Sequence, residues 1–345
     1  MIANRYISNK KFDLECGDSL PGIKIKYHVS SLNRDNKKVI WICHALTANS
    51  NPQEWWDTLV GPNKFFDTDR YFIVCANIIG SCYGSSGPAS FDYDNGAFIC
   101  DNGKPLMLNF PIISIRDLVK AHELLRLHLG IQKIDLLIGG SNGGFQAIEW
   151  AIQNPDIIDN LCLIATNAVV SPWCTAFNES QRLAIKSDKT FMQQHDINGG
   201  KSGLAAARSI ALLSYRSYSG YQVTQQEQDE NFFMAKRASS YQDYQGEKLV
   251  NRFDAYSYYF LSLGVDTHNV GRNRGGVKRA LQSIKSKTLC IAIDSDILFP
   301  IEEMKIIAQN VPSATLEIIS SSYGHDGFLL EYKQISESIK KHIKI

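Results

Sequence analysis

The stretch Ile134-Asp135-Leu136-Leu137-Ile138-Gly139-Gly140-Ser141-Asn142-Gly143-Gly144-Phe145-Gln146-Ala147-Ile148-Glu149-Trp150 decides how this 345-residue chain is to be read. A short apolar run enters Gly-Gly-Ser-Asn-Gly, and a helical pattern follows at once. That is the strand–turn–helix context in which Gly-x-Ser-x-Gly carries chemical meaning. So tight a turn needs residues without bulk beside the serine, and Gly139 and Gly143 supply them. The geometry lifts the Ser141 hydroxyl above a sheet edge at the start of a helix. Backbone N–H groups and the helix dipole favour developing negative charge there.

Upstream, residues 38–43 and 71–76 are apolar at nearly every position, as central strands covered on both faces are. Residues 22–31 alternate apolar and polar, as an outer antiparallel strand does. Ile115, Leu118, Val119, Leu125 and Leu129 mark one helical face, with Gly130 as its cap. Downstream of the serine helix, 160–165 reads as another buried strand. From 167 to 282 strand-like runs vanish, leaving helices such as 204–215 and 226–238 joined by polar loops. Alternation resumes at 287–293 and 314–319, and an amphipathic helix covers 332–343. The expected fold is α/β, a mostly parallel central sheet with an inserted helical lid. Core segments 1–166 and 283–345 flank a lid at 167–282.

Lys and Arg (36) nearly balance Asp and Glu (35), and no charge run points to nucleic acid. The eight cysteines form no Cys-x-x-Cys pair and no cluster at zinc spacing, so no metal is expected. Several lie inside apolar runs, where a free thiol behaves as a small hydrophobe, which suits a reducing compartment. The N-terminal residues lack the apolar core of a signal peptide, and no run approaches a membrane span. A cytoplasmic protein without a membrane partner is the expectation.

A serine nucleophile needs a base, and the base needs a carboxylate to fix its tautomer. In enzymes of this sheet architecture the chain order is serine, acid, histidine. Ile293-Asp294-Ser295-Asp296 follows a late strand and offers Asp294 and Asp296, the latter preferred. Ser321-Ser322-Tyr323-Gly324-His325 follows the last strand and delivers the base, His325. The oxyanion site needs two N–H donors. Asn142, after the nucleophile, is one; the loop His44-Ala45-Leu46-Thr47 supplies the other, with Leu46 the choice. His44 reads as structural, because His325 already fills the place of the base.

Several segments closely resemble the homoserine O-acyltransferases of the α/β-hydrolase superfamily. They are His44-Ala45-Leu46-Thr47, Trp55-Trp56-Asp57-x-Leu59-Val60-Gly61-Pro62, Asp67-Thr68-Asp69-Arg70-Tyr71-Phe72 and Gly80-x-Cys82-Tyr83-Gly84-Ser85-x-Gly87-Pro88. The serine turn, Phe253-Asp254-Ala255-x-Ser257-Tyr258, Ser295-Asp296-x-Leu298-Phe299-Pro300 and Gly324-His325-Asp326-x-Phe328-Leu329-Leu330-Glu331 match as well. The resemblance runs from about residue 38 to 331. It implies acyl transfer, most often of acetyl, from acyl-coenzyme A as co-substrate to the side-chain hydroxyl of L-homoserine, an early step of methionine synthesis. L-serine as acceptor, succinyl-coenzyme A as donor, or plain ester or thioester hydrolysis are the alternatives.

By the same resemblance Ser141, Asp296 and His325 form the triad, and no separate cofactor is needed. Arg208 matches a lid arginine that reaches the substrate, and Asp326 matches a substrate-binding aspartate. The family's lid surface forms a homodimer. Asn142 departs from the pattern, since the family usually carries Met or Leu there.

Overall fold

Eight strands form the central sheet of the computed structural model, which describes residues 1–90, 100–101, 104–192 and 196–345. They are β1 (Ile2–Ser8), β2 (Ile23–Val29), β3 (Val39–Cys43), β4 (Phe72–Ala76), β5 (Ile134–Gly140), β6 (Ile158–Ile164), β7 (Lys287–Ile293) and β8 (Ala314–Ile319). Their spatial order is β1-β2-β4-β3-β5-β6-β7-β8. β2 pairs antiparallel with both β1 and β4, and the ladders from β4 to β8 are parallel. Every residue of β3 and β4 is buried, as their unbroken apolar runs require when helices cover both faces. β2 alternates buried and half-buried positions, matching its period-two pattern.

β1 is an addition to the strands legible in the sequence. Its composition, Ile-Ala-Asn-Arg-Tyr-Ile-Ser, leaves its side chains exposed or half-exposed. An edge strand of this kind is held by its ladder to β2 rather than by a buried face.

Helix α1 (Ile115–His128) begins in a capping box, where Ser114 and Asp117 each accept the other's backbone N–H. Gly130 follows it at φ 63°, the left-handed conformation that ends helices. Helix α2 (Asn142–Gln153) starts directly after Ser141. Between β6 and β7 the named elements are all helices: α3 (Pro172–Ser187), α4 (Lys201–Tyr215), α5 (Tyr218–Gln225), α6 (Arg237–Val250), α7 (Ala255–Asp266) and α8 (Val277–Gln282). After β7 come α9 (Ile301–Asn310), α10 (Gly327–Leu330) and α11 (Tyr332–His342).

The expected helix at 226–238 does not form. Residues 226–236 make turns, and the helix starts at Arg237. Side chains there take the backbone donors a helix would use: Glu227 Oε1 accepts from Arg237 N at 2.7 Å, and Asp229 Oδ1 from Asn231 N at 2.9 Å.

Among the charged contacts that bind the helical segment to the sheet layer, two come from Arg274 and Arg252. Arg274 Nη1 donates to Glu149 Oε2 on α2 at 2.8 Å. Arg252 Nη1 donates to the Thr47 carbonyl at 2.6 Å and to the Tyr83 hydroxyl at 2.7 Å. The second contact spans from the end of α6 to the loop after β3, beside Ser141.

Candidate active site

Ser141 sits between β5 and α2 at φ 56°, ψ −129°. A non-glycine residue at positive φ stores about 1–3 kcal/mol and persists only where its surroundings impose it. Here the neighbouring glycines show what imposes it. A Cβ on Gly139 would fall 2.2 Å from the Gly143 carbonyl oxygen, and one on Gly143 would fall 2.1 Å from the Cys43 carbonyl oxygen. The first turn of α2 is therefore pressed against β3 and β5, and the serine takes up the bend.

His325 lies on a single 3₁₀ turn, Gly324–Asp326, after β8. Its Nε2 is 2.8 Å from Ser141 Oγ, and its Nδ1 is 2.7 Å from Asp296 Oδ2. Asp296 Oδ1 accepts the backbone N–H groups of Leu298 and Phe299 at 2.8 and 3.0 Å, so the carboxylate is fixed from both sides. Asp294 is exposed and accepts from Ser321 N instead. Of the two aspartates offered by the sequence, Asp296 is the one that meets the histidine.

Among the described residues four histidines are buried: His44, His122, His268 and His325. Burial pushes the first three down to about 4, which leaves them neutral. Burial also works against the imidazolium of His325, but the Asp296 charge and hydrogen bond outweigh it, with Asp326 adding, and hold this group above the ordinary histidine value. The His44 ring is committed elsewhere than to the serine. Its Nδ1 faces the Ala45 carbonyl and its Nε2 the Ile78 N–H, so it is engaged with backbone on both sides.

Leu46 lines the cavity into which Ser141 and His325 open, a space of about 390 Å³. The Asn142 N–H is the first of α2, and neither it nor the Leu46 N–H donates to an acceptor among the described residues. The Asn142 side chain is buried, and its Oδ1 has no partner among the described residues. Arg208 and Asp326 also line the cavity, together with three cations the sequence reading did not name: Arg216, Lys248 and Arg252. Arg216 Nη1 pairs with Asp326 Oδ2 at 3.2 Å. The Arg208 guanidinium lies over the Tyr215 ring at 5.5 Å, and that ring is 5.7 Å from His325. Helical spacing holds the missing signal. Arg208 and Tyr215 are seven residues apart on one face of α4, and Arg216 is its C-cap.

Residues 38–332 match the model of the alpha/beta hydrolase fold family. A homoserine O-acetyltransferase from Cyclobacterium marinum is 45% identical over 341 residues, covering 99% of this chain and 95% of that protein. The chain belongs to the homoserine O-acetyltransferase family. Solved structures agree on the fold. A homoserine O-acetyltransferase from Staphylococcus aureus superposes with a TM-score of 0.81 at 26% identity, over 100% of this chain and 95% of that one. The esterase E22 L374D mutant superposes with a TM-score of 0.86 at 22% identity, over all of both chains. One backbone thus serves family members and an esterase alike, and function has to be argued from the groups around the serine.

Proposed function

We propose that this protein moves an acetyl group from acetyl-coenzyme A to the hydroxyl of L-homoserine through an acetyl-Ser141 intermediate. The observation that carries the reading is the company Ser141 keeps. A serine–histidine–aspartate relay opens into a cavity that also presents the Arg208 guanidinium and the Asp326 carboxylate. Hydrolysis needs no such pair, whereas an amino-acid acceptor brings a carboxylate and an ammonium for them to hold.

In the first half-reaction His325 Nε2 takes the Ser141 proton as Oγ attacks the thioester carbonyl. The N–H groups of Leu46 and Asn142 receive the oxyanion. The C–S bond breaks, and the proton on His325 goes to the departing thiolate. In the second half-reaction the acceptor hydroxyl gives its proton to His325 and attacks the acetyl carbonyl. Collapse releases O-acetylhomoserine and returns the proton to Ser141. Two acyl transfers of this kind call for no electron carrier and no metal. Water is the competing nucleophile, so orientation of the acceptor decides the outcome.

We also propose a cytoplasmic homodimer contributing to methionine synthesis. Cys16, Cys43, Cys75, Cys82, Cys162, Cys174 and Cys290 are free thiols, as a reducing compartment keeps them. Val223, Phe232, Phe233 and Met234 are exposed along α5 and the turns after it, and a second copy is the occupant that would cover them.

Thiol release from acetyl-coenzyme A, with L-homoserine, L-serine or no acceptor, tests the reading, with Ser141→Ala as control. Release that depends on homoserine and vanishes in the control is expected. Equal release without any acceptor would make the protein a thioesterase. Release driven by serine, or only from succinyl-coenzyme A, would change the substrate and keep the chemistry.

A further inference from the structure

We propose that Gln146, acting with His44, is a positioning residue that sets the separation and direction of the two oxyanion donors. This rests on the reading that the Leu46 and Asn142 N–H groups receive the oxyanion. Those donors lie on two different segments, the loop after β3 and the first turn of α2. Something must hold the segments in register, because misplacement on the order of 1 Å costs about a hundredfold in rate.

Gln146 is fully buried one turn into α2. Its Nε2 is 3.1 Å from the His44 carbonyl oxygen and 3.1 Å from the Asn142 carbonyl oxygen. One amide NH₂ has two hydrogens, and these two acceptors use both. That assigns the amide orientation and leaves Oε1 to accept from His122 Nε2, 2.9 Å away. A single side chain therefore bolts the loop to the helix, and a buried histidine holds its other end.

The loop side continues through His44. The Ile78 N–H donates to His44 Nε2 at 3.1 Å, so the ring hydrogen sits on Nδ1 and donates to the Ala45 carbonyl at 2.8 Å. The Ala45 carbonyl and the Leu46 N–H belong to one planar trans peptide and point in opposite directions. Holding the oxygen therefore aims the N–H. Burial keeps both His44 and His122 uncharged near neutral pH, so the network does not change with pH where His325 titrates.

The test is Gln146→Met, which keeps length and bulk and removes both donors. The readout is the single-turnover thiol burst from acetyl-coenzyme A without acceptor. The acetylation rate constant is expected to fall about a hundredfold, the scale of losing one oxyanion donor. The KM for acetyl-coenzyme A should stay within threefold, and the midpoint of the pH profile should not move. Affinity for a boronic acid that forms a tetrahedral adduct on Ser141 should fall in parallel, while affinity for free coenzyme A is retained.

A variant that acetylates within threefold of the parent overturns the proposal. So does one that loses coenzyme A affinity in step with its rate, since that is general damage to the site. If Gln146→Met does not fold, His44→Phe carries the same expectations and the same overturning results. A parent protein with no burst at all would instead overturn the acetyl-serine reading, which keeps the two failures apart.

Discussion

Asp326 Oδ2 lies 3.2 Å from Nη1 of Arg216, so the carboxylate beside His325 is already paired before any acceptor arrives. The side chains are 25% and 13% accessible, so the pair is largely shielded from solvent. Its consequence is local. The pair holds the Asp326 carboxylate toward the cavity, and Arg208 is left without an ion-pair partner among the described residues. A zwitterionic acceptor supplies the carboxylate that Arg208 lacks and brings its ammonium to Asp326 as a second cation.

Arg208→Met and Asp326→Asn should therefore act on the second half-reaction. A charge-assisted hydrogen bond is worth about 1.5–3 kcal/mol, so the KM for homoserine should rise roughly ten- to a hundredfold in either variant. The thiol burst without acceptor should stay within about threefold at alkaline pH. Equal loss in both half-reactions would place these residues outside acceptor binding.

The pH dependence follows from His325, which must be neutral to accept the serine proton. Its folded-state value is raised by Asp296, so acetylation should fall with decreasing pH through a midpoint above the ordinary histidine value of about 6.5. Stability has the opposite sign. The folded protein binds this proton more tightly than the unfolded chain, so the gain is fully present below about pH 6.5 and disappears as pH rises through the folded midpoint. Asp296→Asn should lower the midpoint and cut the rate by roughly 10⁴-fold. A burst titration from pH 5 to 9, on parent and variant, reads both effects.

Backbone contact at the serine turn gives a third test. Gly143 has no room for a methyl group because the Cys43 carbonyl oxygen stands 2.1 Å from where its Cβ would be, and backbone cannot swing aside as a flexible side chain can. Gly143→Ala should destabilise the protein by about 3 kcal/mol and abolish acetylation. Gly130→Ala is the contrast. No atom comes within 4 Å of that Cβ, so only the strain of its positive φ should appear, with acetylation retained.

What the sequence disclosed and withheld follows from where each signal lives. The parallel strands were legible because burial on both faces writes an unbroken apolar run, as in Val39–Cys43 and Phe72–Ala76. Ser141, Asp296 and His325 were legible because each must follow a strand in a set chain order. β1 was not, since an exposed edge strand carries no burial pattern. The turns at 226–236 were misread as helix because Glu227 and Asp229 look like surface helix residues until their oxygens are seen on backbone N–H groups. Arg216 and Gln146 escaped for a different reason. Their partners, Asp326 in one case and the His44 carbonyl in the other, are met only in three dimensions.

The exposed apolar side chains of the helical segment predict the oligomer. Phe233 is fully exposed, Phe232 and Met234 are exposed on either side of it, and Val223 is exposed on α5 ten residues earlier. Apolar residues gathered along one short segment mark an association surface more often than chance exposure does. Phe233→Glu, with or without Val223→Glu, should shift the protein from dimer to monomer in light scattering without lowering the acetyl-coenzyme A burst. A parent that is monomeric at micromolar concentration would refute the dimer outright.

Asn142 offers a change that should improve the fold. Its Oδ1 is buried without a partner among the described residues, although the residue sits directly after the nucleophile. A buried acceptor left unsatisfied costs about 1–3 kcal/mol, and a leucine of similar volume removes that cost without emptying the space. Asn142→Leu should therefore raise the unfolding free energy by about 1 kcal/mol, read as a higher denaturation midpoint. The backbone N–H that serves the oxyanion is untouched, so the acetylation burst should hold within about threefold. An apolar wall beside the acetyl-serine also disfavours water, so the ratio of homoserine transfer to acetyl-enzyme hydrolysis should rise. A variant that is less stable, with the burst intact, would show that the amide is satisfied in solution and that Asn142 is kept for its polarity.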